Sequence, residues 1–231
     1  MWREHERRWP GEERSRAGHQ RPGDPPGSWR GDGDRYLSPE RNAQADRLIS
    51  DLRQPGPSIT AQLQQIEQEN PHGGKLVGLD HCFKGGDRLK EKIADSMEKE
   101  AESTVADAVA AICDAVRYTF CFDADHYANG YRDIRELLEL AGYKLIYCKN
   151  HWIGDPHYKG VNTRWATPHG DSFELQFHIA ESAHAKEQMT HSAYERLRAP
   201  GSSRRERREL VAFERVVSAA VPEPTGIAMI G

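Results

Sequence analysis

Three cations stand at four-residue steps, Lys84, Arg88 and Lys92. On an α-helix such residues share a face. Gly85-Gly86 lies at the start of that run, which places backbone N–H groups and a helix N-terminus beside the cations, a setting that suits phosphate. Lys90 and Glu91 occupy the same stretch, so a solvated charged face fits the spacing as well. Asp114 stands just before an apolar run and Arg117 inside it. A carboxylate at a strand edge suits magnesium, and an arginine in an apolar strand needs an anion or a path to water. A structural salt bridge would satisfy both. In Ser172–His178, alternation sets Glu174, Gln176 and His178 on one face and Phe173, Leu175 and Phe177 on the other. The polar face meets either solvent or a cleft. In Tyr158–Thr163 a regular strand would align Tyr158, Gly160 and Asn162, with a ring able to stack on a base. His184, Lys186 and His191 lie further on and are suited to phosphate; no H-E-x-x-H pattern supports zinc at His178, His184 and His191.

The elements that must position these groups read as follows. Residues 1–37 are dense in Arg, Gly, Pro, Asp and Glu, and their few aromatics include Trp2, Trp9 and Trp29; the segment is expected to be disordered. Ser38-Pro39 is a helix start, with Ser as N-cap and Pro at the first helical position, for a helix reaching Arg53. Pro55-Gly56-Pro57 breaks it. A second helix carries Ile59, Leu63 and Ile66 and stops near Asn70. Helices are expected over 83–99 and 103–113, then a buried strand over 115–122. Asp123 is the expected cap of a helix ended by Gly142. Strands follow over 143–149, 158–165 and 172–177, the last two joined by Pro168–Asp171, then helices over 181–198 and 202–219. This order gives an α/β (α+β) fold with a mixed sheet of about four to five strands flanked by helices. The expected division is a disordered tail 1–37, a helical extension 38–74, a main domain 75–199, and a C-terminal helix and tail 200–231.

Bulk properties narrow the function classes. The 231 residues carry 32 basic and 36 acidic side chains, a net charge of -4, and 37% hydrophobic residues. Mean hydropathy is -0.82, so part of the chain is expected to stay unpacked. The N-terminus has no apolar signal region and no run is long enough to span a membrane. Cys82, Cys113, Cys121 and Cys148 show no paired spacing, which argues for neither zinc nor a disulfide framework and fits a reducing compartment. A cytoplasmic protein is expected.

Taken in order, Phe83–Lys92 (FKGGDRLKEK), Asp114–Thr119 (DAVRYT), Tyr158–Thr163 (YKGVNT), Phe173–His178 (FELQFH) and Thr190–Arg198 (THSAYERLR) resemble the synthetase domain of the RelA/SpoT superfamily. The likeness is greatest to its compact, synthetase-only members, nucleotide 3′-pyrophosphokinases and toxin-like relatives among them. It implies a nucleotidyltransferase-like fold and transfer of the β,γ-diphosphate of ATP to a nucleotide 3′-hydroxyl, with Mg2+ as cofactor and an alarmone as product. By resemblance, Lys84, Arg88, Lys92 and Arg117 bind ATP, and Asp114 and Glu174 hold the metal, Glu174 alternatively serving as the base. Tyr158, Lys159, Asn162, Gln176, His178 and His191 fall on the acceptor side. Three departures stand out: Arg88 replaces the family's serine, Asp114 and Arg117 are closer together, and the acceptor loop lacks the Asn-Gly-Tyr run of guanosine-specific enzymes. The acceptor therefore stays open between guanosine and adenosine nucleotides. Toxin relatives add two further partners, the 3′ end of tRNA and an antitoxin, together with delivery into another cell's cytoplasm. The run Arg204-Arg205-Glu206-Arg207-Arg208 suits an RNA backbone or a solvated helix face. A non-catalytic nucleotide-binding module is the remaining alternative. No His-Asp metal pair precedes residue 75, so the resemblance implies synthesis without hydrolysis.

Overall fold

Two separate hydrophobic cores organise the chain, and the site lies between them. The computed structural model describes residues 21–100, 102–198 and 201–230. The larger core is built on a five-stranded sheet in the order β3 (Lys75–Val77), β4 (Arg117–Phe122), β7 (Ser172–Ile179), β6 (Val161–Ala166), β5 (Lys144–Asn150). β4 and β7 are parallel; all other neighbours are antiparallel, so the sheet is mixed as expected.

Alternation assigns the two faces. Tyr118, Phe120 and Phe122 of β4, Phe173, Leu175 and Phe177 of β7, and Val161 and Trp165 of β6 are buried on one face. They pack with Ile59, Leu63 and Ile66 of helix α2 (Gly56–Glu69) and with Tyr127, Tyr131, Ile134 and Leu138 of α5 (Tyr127–Leu140). Fully burying a side chain of this size contributes about 1.5–3 kcal/mol, so this aromatic-rich layer fixes the register of the whole sheet. The other face then carries Arg117, Asn162, Arg164, Glu174, Gln176 and His178.

The second core is helical. α1 (Pro39–Arg53), α3 (Gly86–Lys99) and α4 (Val105–Ala110) join Ala45, Ile49, Leu89, Ile93, Val105, Ala108 and Val109. The Ser38 hydroxyl accepts from the Arg41 N–H at the start of α1, as the Ser-Pro pair predicts. Thr104 and Asp107 form a reciprocal capping box on α4.

Several expectations are corrected. Residues 21–37 form structure: a hairpin of β1 (Trp29–Arg30) and β2 (Tyr36–Leu37) buries Trp29 and Leu37 in the helical core. The Trp29 indole N–H donates to Asp87 of α3 at 2.8 Å, so one aromatic anchors a segment whose composition reads as unfolded. Trp2 and Trp9 lie outside the described residues. Asp123 does not cap α5, which starts at Tyr127 with His126 at its N-cap. The helix expected over 103–113 has only six residues. The strand expected over 158–165 starts at Val161, leaving Tyr158 and Gly160 in the preceding loop. The helix expected over 181–198 consists of α6 (Ala180–His184), a π-helical turn Ala185–Thr190 and α7 (His191–Arg198). A last helix, α8 (Arg204–Ala219), follows; beyond it Ile227 and Ile230 return to the sheet core. Among the described residues no helix is long and apolar enough to cross a membrane, and the four cysteines are free thiols.

Candidate active site

Between the helical core and the polar face of the sheet runs a cleft of about 600 Å³, within the range of small-molecule sites. Lys92 and Ser96 of α3, with Cys113 and Asp114 after α4, form one wall. Tyr147, Lys149, His151, Asn162, Arg164 and Glu174 form the other.

Asp114 is the hub of the helical wall. Both its oxygens lie 2.7 Å from the Lys92 ammonium, and Lys84 reaches the same carboxylate. Burial pushes the Asp114 carboxyl up, but the two ammonium groups outweigh it and hold it below its usual value. Lys84 is lowered, first by burial and then by the nearby charges of Lys92 and Arg117, against the pull of Asp114. The three cations do not form the single helical row that their spacing predicts. Lys84 precedes α3, its N–H donating to the Ala115 carbonyl, so its side chain arrives from a strand-like segment. Arg88 turns away: it donates to Glu91 at 2.6 Å and to Glu195 of α7 at 3.0 Å.

On the sheet wall, register sets Glu174 directly between Arg117 of β4 and Arg164 of β6. Glu174 accepts from the Gln176 amide at 2.9 Å, and Gln176 in turn accepts from Lys186 at 2.8 Å. The π-helical turn brings Lys186 there, consistent with such turns occurring at functional sites. Arg164 Nε is buried without a hydrogen-bond partner, a donor that suits an incoming anion.

The residues that the resemblance assigns to the acceptor occupy different places. Asn162 lines the cleft. Behind it, the Tyr158 hydroxyl donates to Asn162 Oδ1 at 2.8 Å and lies 2.9 Å from His178 Nε2, while His178 Nδ1 is 2.9 Å from the Ser182 hydroxyl. His178 is fully buried, and burial, then the Lys186 and Arg117 charges, lower it to about 3; it is neutral at working pH. A Cβ on Gly160 would come within 2.8 Å of His178 Cε1, so this close approach requires glycine. The Tyr158 ring stands edge-on to His151 at 5.0 Å and to His178 at 5.5 Å. The Lys159 ammonium donates to the Trp152 and Asp155 carbonyls, so its charge closes the loop on itself. His191 is exposed at the start of α7, away from the cleft lining. Of the residues marked in the sequence, the cleft brings together Lys92, Asp114, Asn162 and Glu174. Gln176, His178, Tyr158 and Lys186 support them from behind, Arg88 and Lys159 are engaged elsewhere, and His191 is exposed away from the cleft.

Sequence reasoning missed Tyr147, Lys149, His151 and Arg164. Alternation within β6 sets Arg164 on the face of Asn162. Tyr147 and Lys149 follow only once β5 is paired, because the register shifts between Leu145 and Tyr147.

No protein-family model matches the sequence. No curated protein matches it either. Solved structures do. The complex of the Type VI effector Tas1 with its immunity protein aligns with TM-score 0.52 and 18% identity, over 77% of this chain and 96% of that one. Small alarmone synthetase 1 from Bacillus subtilis bound to its product pppGpp aligns with TM-score 0.51 and 12% identity, over 77% and 92%. This chain has the small alarmone synthetase fold. The donor set fits magnesium: Asp114 and Glu174 supply hard oxygen ligands on the same cleft. Among the described residues no cluster of three or more acidic, histidine or cysteine side chains forms a closed metal site. An ion that keeps waters and takes substrate phosphates as ligands needs no such cluster.

Proposed function

We propose that the chain is an ATP-dependent nucleotide 3′-pyrophosphokinase. The observation that carries this reading is the sharing of one cleft by Asp114, Glu174 and Lys92, with Lys84 clamped on Asp114 from the side. Transfer of a diphosphate needs in-line placement and charge neutralisation more than covalent help. Lys84 and Lys92 are held within reach of one another by a carboxylate, and both can turn to the ATP phosphates when the nucleotide enters. Arg117 and Arg164 flank Glu174 and neutralise the diphosphate as it moves. Asp114 would hold Mg2+, which when bound spreads the phosphate charge, and Glu174 acts as the base in place of a second ligand.

Glu174 takes the proton of the acceptor 3′-hydroxyl. The 3′-oxygen then bonds to the β-phosphorus of ATP, the bond from that phosphorus to the α,β-bridging oxygen breaks, and AMP leaves with that oxygen. Gln176, steadied by Lys186, fixes the carboxylate that receives the proton. Acceptor contacts come from Asn162 and from the Tyr158 loop, and the product is an alarmone of the (p)ppNpp type.

The effector and alarmone-synthetase neighbours agree with such an activity and with use as a growth-inhibiting toxin paired with an immunity protein. The deciding experiment incubates the protein with γ-labelled ATP, Mg2+ and, separately, adenosine nucleotides, guanosine nucleotides and tRNA. Label on a mononucleotide with AMP released is the expected result. Label on tRNA alone moves the acceptor to RNA. ATP bound with no label transferred to any acceptor overturns the proposal.

A further inference from the structure

The loop 151–160 supplies the cleft with His151 and the sheet with Tyr158, yet it is pinned from outside the cleft. Asp155 organises it internally: Oδ1 accepts from the His157 N–H at 2.9 Å and the Tyr158 N–H at 3.2 Å, and Oδ2 lies 2.7 Å from His151 Nδ1. The outer attachment is to α8. The Ser218 hydroxyl donates to the His157 carbonyl at 2.5 Å. One turn earlier, Glu214 is 8% exposed and turns its Oε2 to within 3.8 Å of His157 Nδ1. That ring nitrogen is buried and has no hydrogen-bond partner.

Residues four apart on a helix share a face, so Glu214 and Ser218 grip one loop residue from one side. At 3.8 Å the carboxylate faces this nitrogen without hydrogen-bonding to it. A buried carboxylate with so few partners is itself a poor stabiliser of α8. Its available role is directional, toward His157. The linkage then runs Glu214 and Ser218 to His157, through Asp155, to His151 and Tyr158.

We infer that α8 is a working part of the site, with Glu214 and Ser218 as positioning residues that set the acceptor loop. The word acceptor rests on the pyrophosphokinase reading; the mechanical linkage does not. Neither residue touches substrate, so the signature is a split between substrates and not a general loss.

The test compares Ser218→Ala, Glu214→Leu and Glu214→Gln in the full chain. Losing the Ser218 hydrogen bond or the Glu214 contact should raise the acceptor KM about fivefold, while the ATP KM stays within about twofold. Glu214→Leu should do this without lowering the unfolding midpoint, since an apolar side chain suits the buried position. Glu214→Gln keeps a polar group facing His157 and should restore most of the acceptor KM. Independently of turnover, hydrogen exchange at the His157 and Tyr158 amides should quicken about fivefold in Ser218→Ala and Glu214→Leu, with the sheet unchanged. Unchanged loop exchange in both variants overturns the inference, as does an equal rise across all segments. Equal shifts in both KM values overturn it too. If the wild type transfers nothing, the pyrophosphokinase reading fails, and the exchange data alone still decide the linkage.

Discussion

The two walls of the cleft are built by different physics. The helical wall is held by ion pairs: Lys84 and Lys92 share Asp114, and Arg88 bridges Glu91 and Glu195. The sheet wall rests on neutral, buried hydrogen bonds running from Asn162 through Tyr158 and His178 to Ser182, with Gln176 steadying Glu174. Ion pairs can be exchanged for a charged ligand, because a triphosphate replaces the carboxylate as the partner of each lysine. Neutral buried bonds cannot be exchanged without leaving a polar group unpaired. On the proposed reading, the ATP side would therefore rearrange on binding and the acceptor side would remain preformed.

The sharpest break in this comparison is Glu174→Gln. Removing the proposed proton acceptor should lower transfer by about a hundredfold or more, while ATP affinity measured by calorimetry stays near that of wild type. Normal turnover would remove Glu174 from the mechanism.

Next comes Asp114→Asn, which strands two partly buried ammonium groups beside each other and should cost about 2 kcal/mol in urea unfolding. Lys92→Ala in the same background should recover part of that loss, since one stranded charge is gone. A strictly additive double-mutant cycle would show that the pair is not coupled.

The sheet wall should respond to acid. The folded-state value of His178 lies near 3 against an ordinary 6.5, so below about pH 6.5 the unfolded chain takes up a proton that the folded chain refuses. Stability then falls with acidification, by up to about 1.4 kcal/mol per pH unit until the folded value is reached. Glu214 tilts the other way. Burial and then the Asp155 charge push it up to about 7, so between its ordinary 4.5 and 7 the folded chain holds the extra proton and stability falls as pH rises. His178→Gln should flatten the acid limb and Glu214→Gln the limb toward neutrality, both read from urea unfolding across pH. Unchanged slopes would contradict the burial of these two groups.

The smallest effect is expected at Arg88. Its guanidinium is committed to two carboxylates, so Arg88→Ala should change ATP affinity by less than about threefold and cost about 1 kcal/mol or less at the α3–α7 contact. A tenfold loss of ATP affinity would place Arg88 in the phosphate site.

The same division explains what the sequence reveals. Asp114, Lys92 and Glu174, which meet in one cleft, stand out in the sequence by a place before an apolar strand, by four-residue spacing and by strand alternation, all local properties of the chain. The aromatic layer of β4 and β7 is legible for the same reason. Trp29 is not: its segment is polar by composition, and its burial depends on a helical core built by residues far along the chain, with Asp87 accepting its indole N–H. Arg88 is misplaced because periodicity gives a helix face but not the acid on another helix that captures it. Tyr158 and Lys159 read as strand residues because β-propensity cannot show that Asp155 and the Lys159 ammonium fold the chain into a loop there. The cleft residues of β5 depend on a register shift, which no pattern of residue types announces.

One measurement bears most directly on the central claim that Asp114 and Glu174 act together in one cleft. Purified protein is mixed with ATP and a purine nucleotide, with Mg2+ or with chelator, and the products are weighed by mass spectrometry. Equal amounts of AMP and a nucleotide carrying a 3′-diphosphate, formed with Mg2+ and lost both with chelator and in Asp114→Asn, are the predicted result. Release of ADP and phosphate in place of AMP, or undiminished transfer by Asp114→Asn, would contradict it.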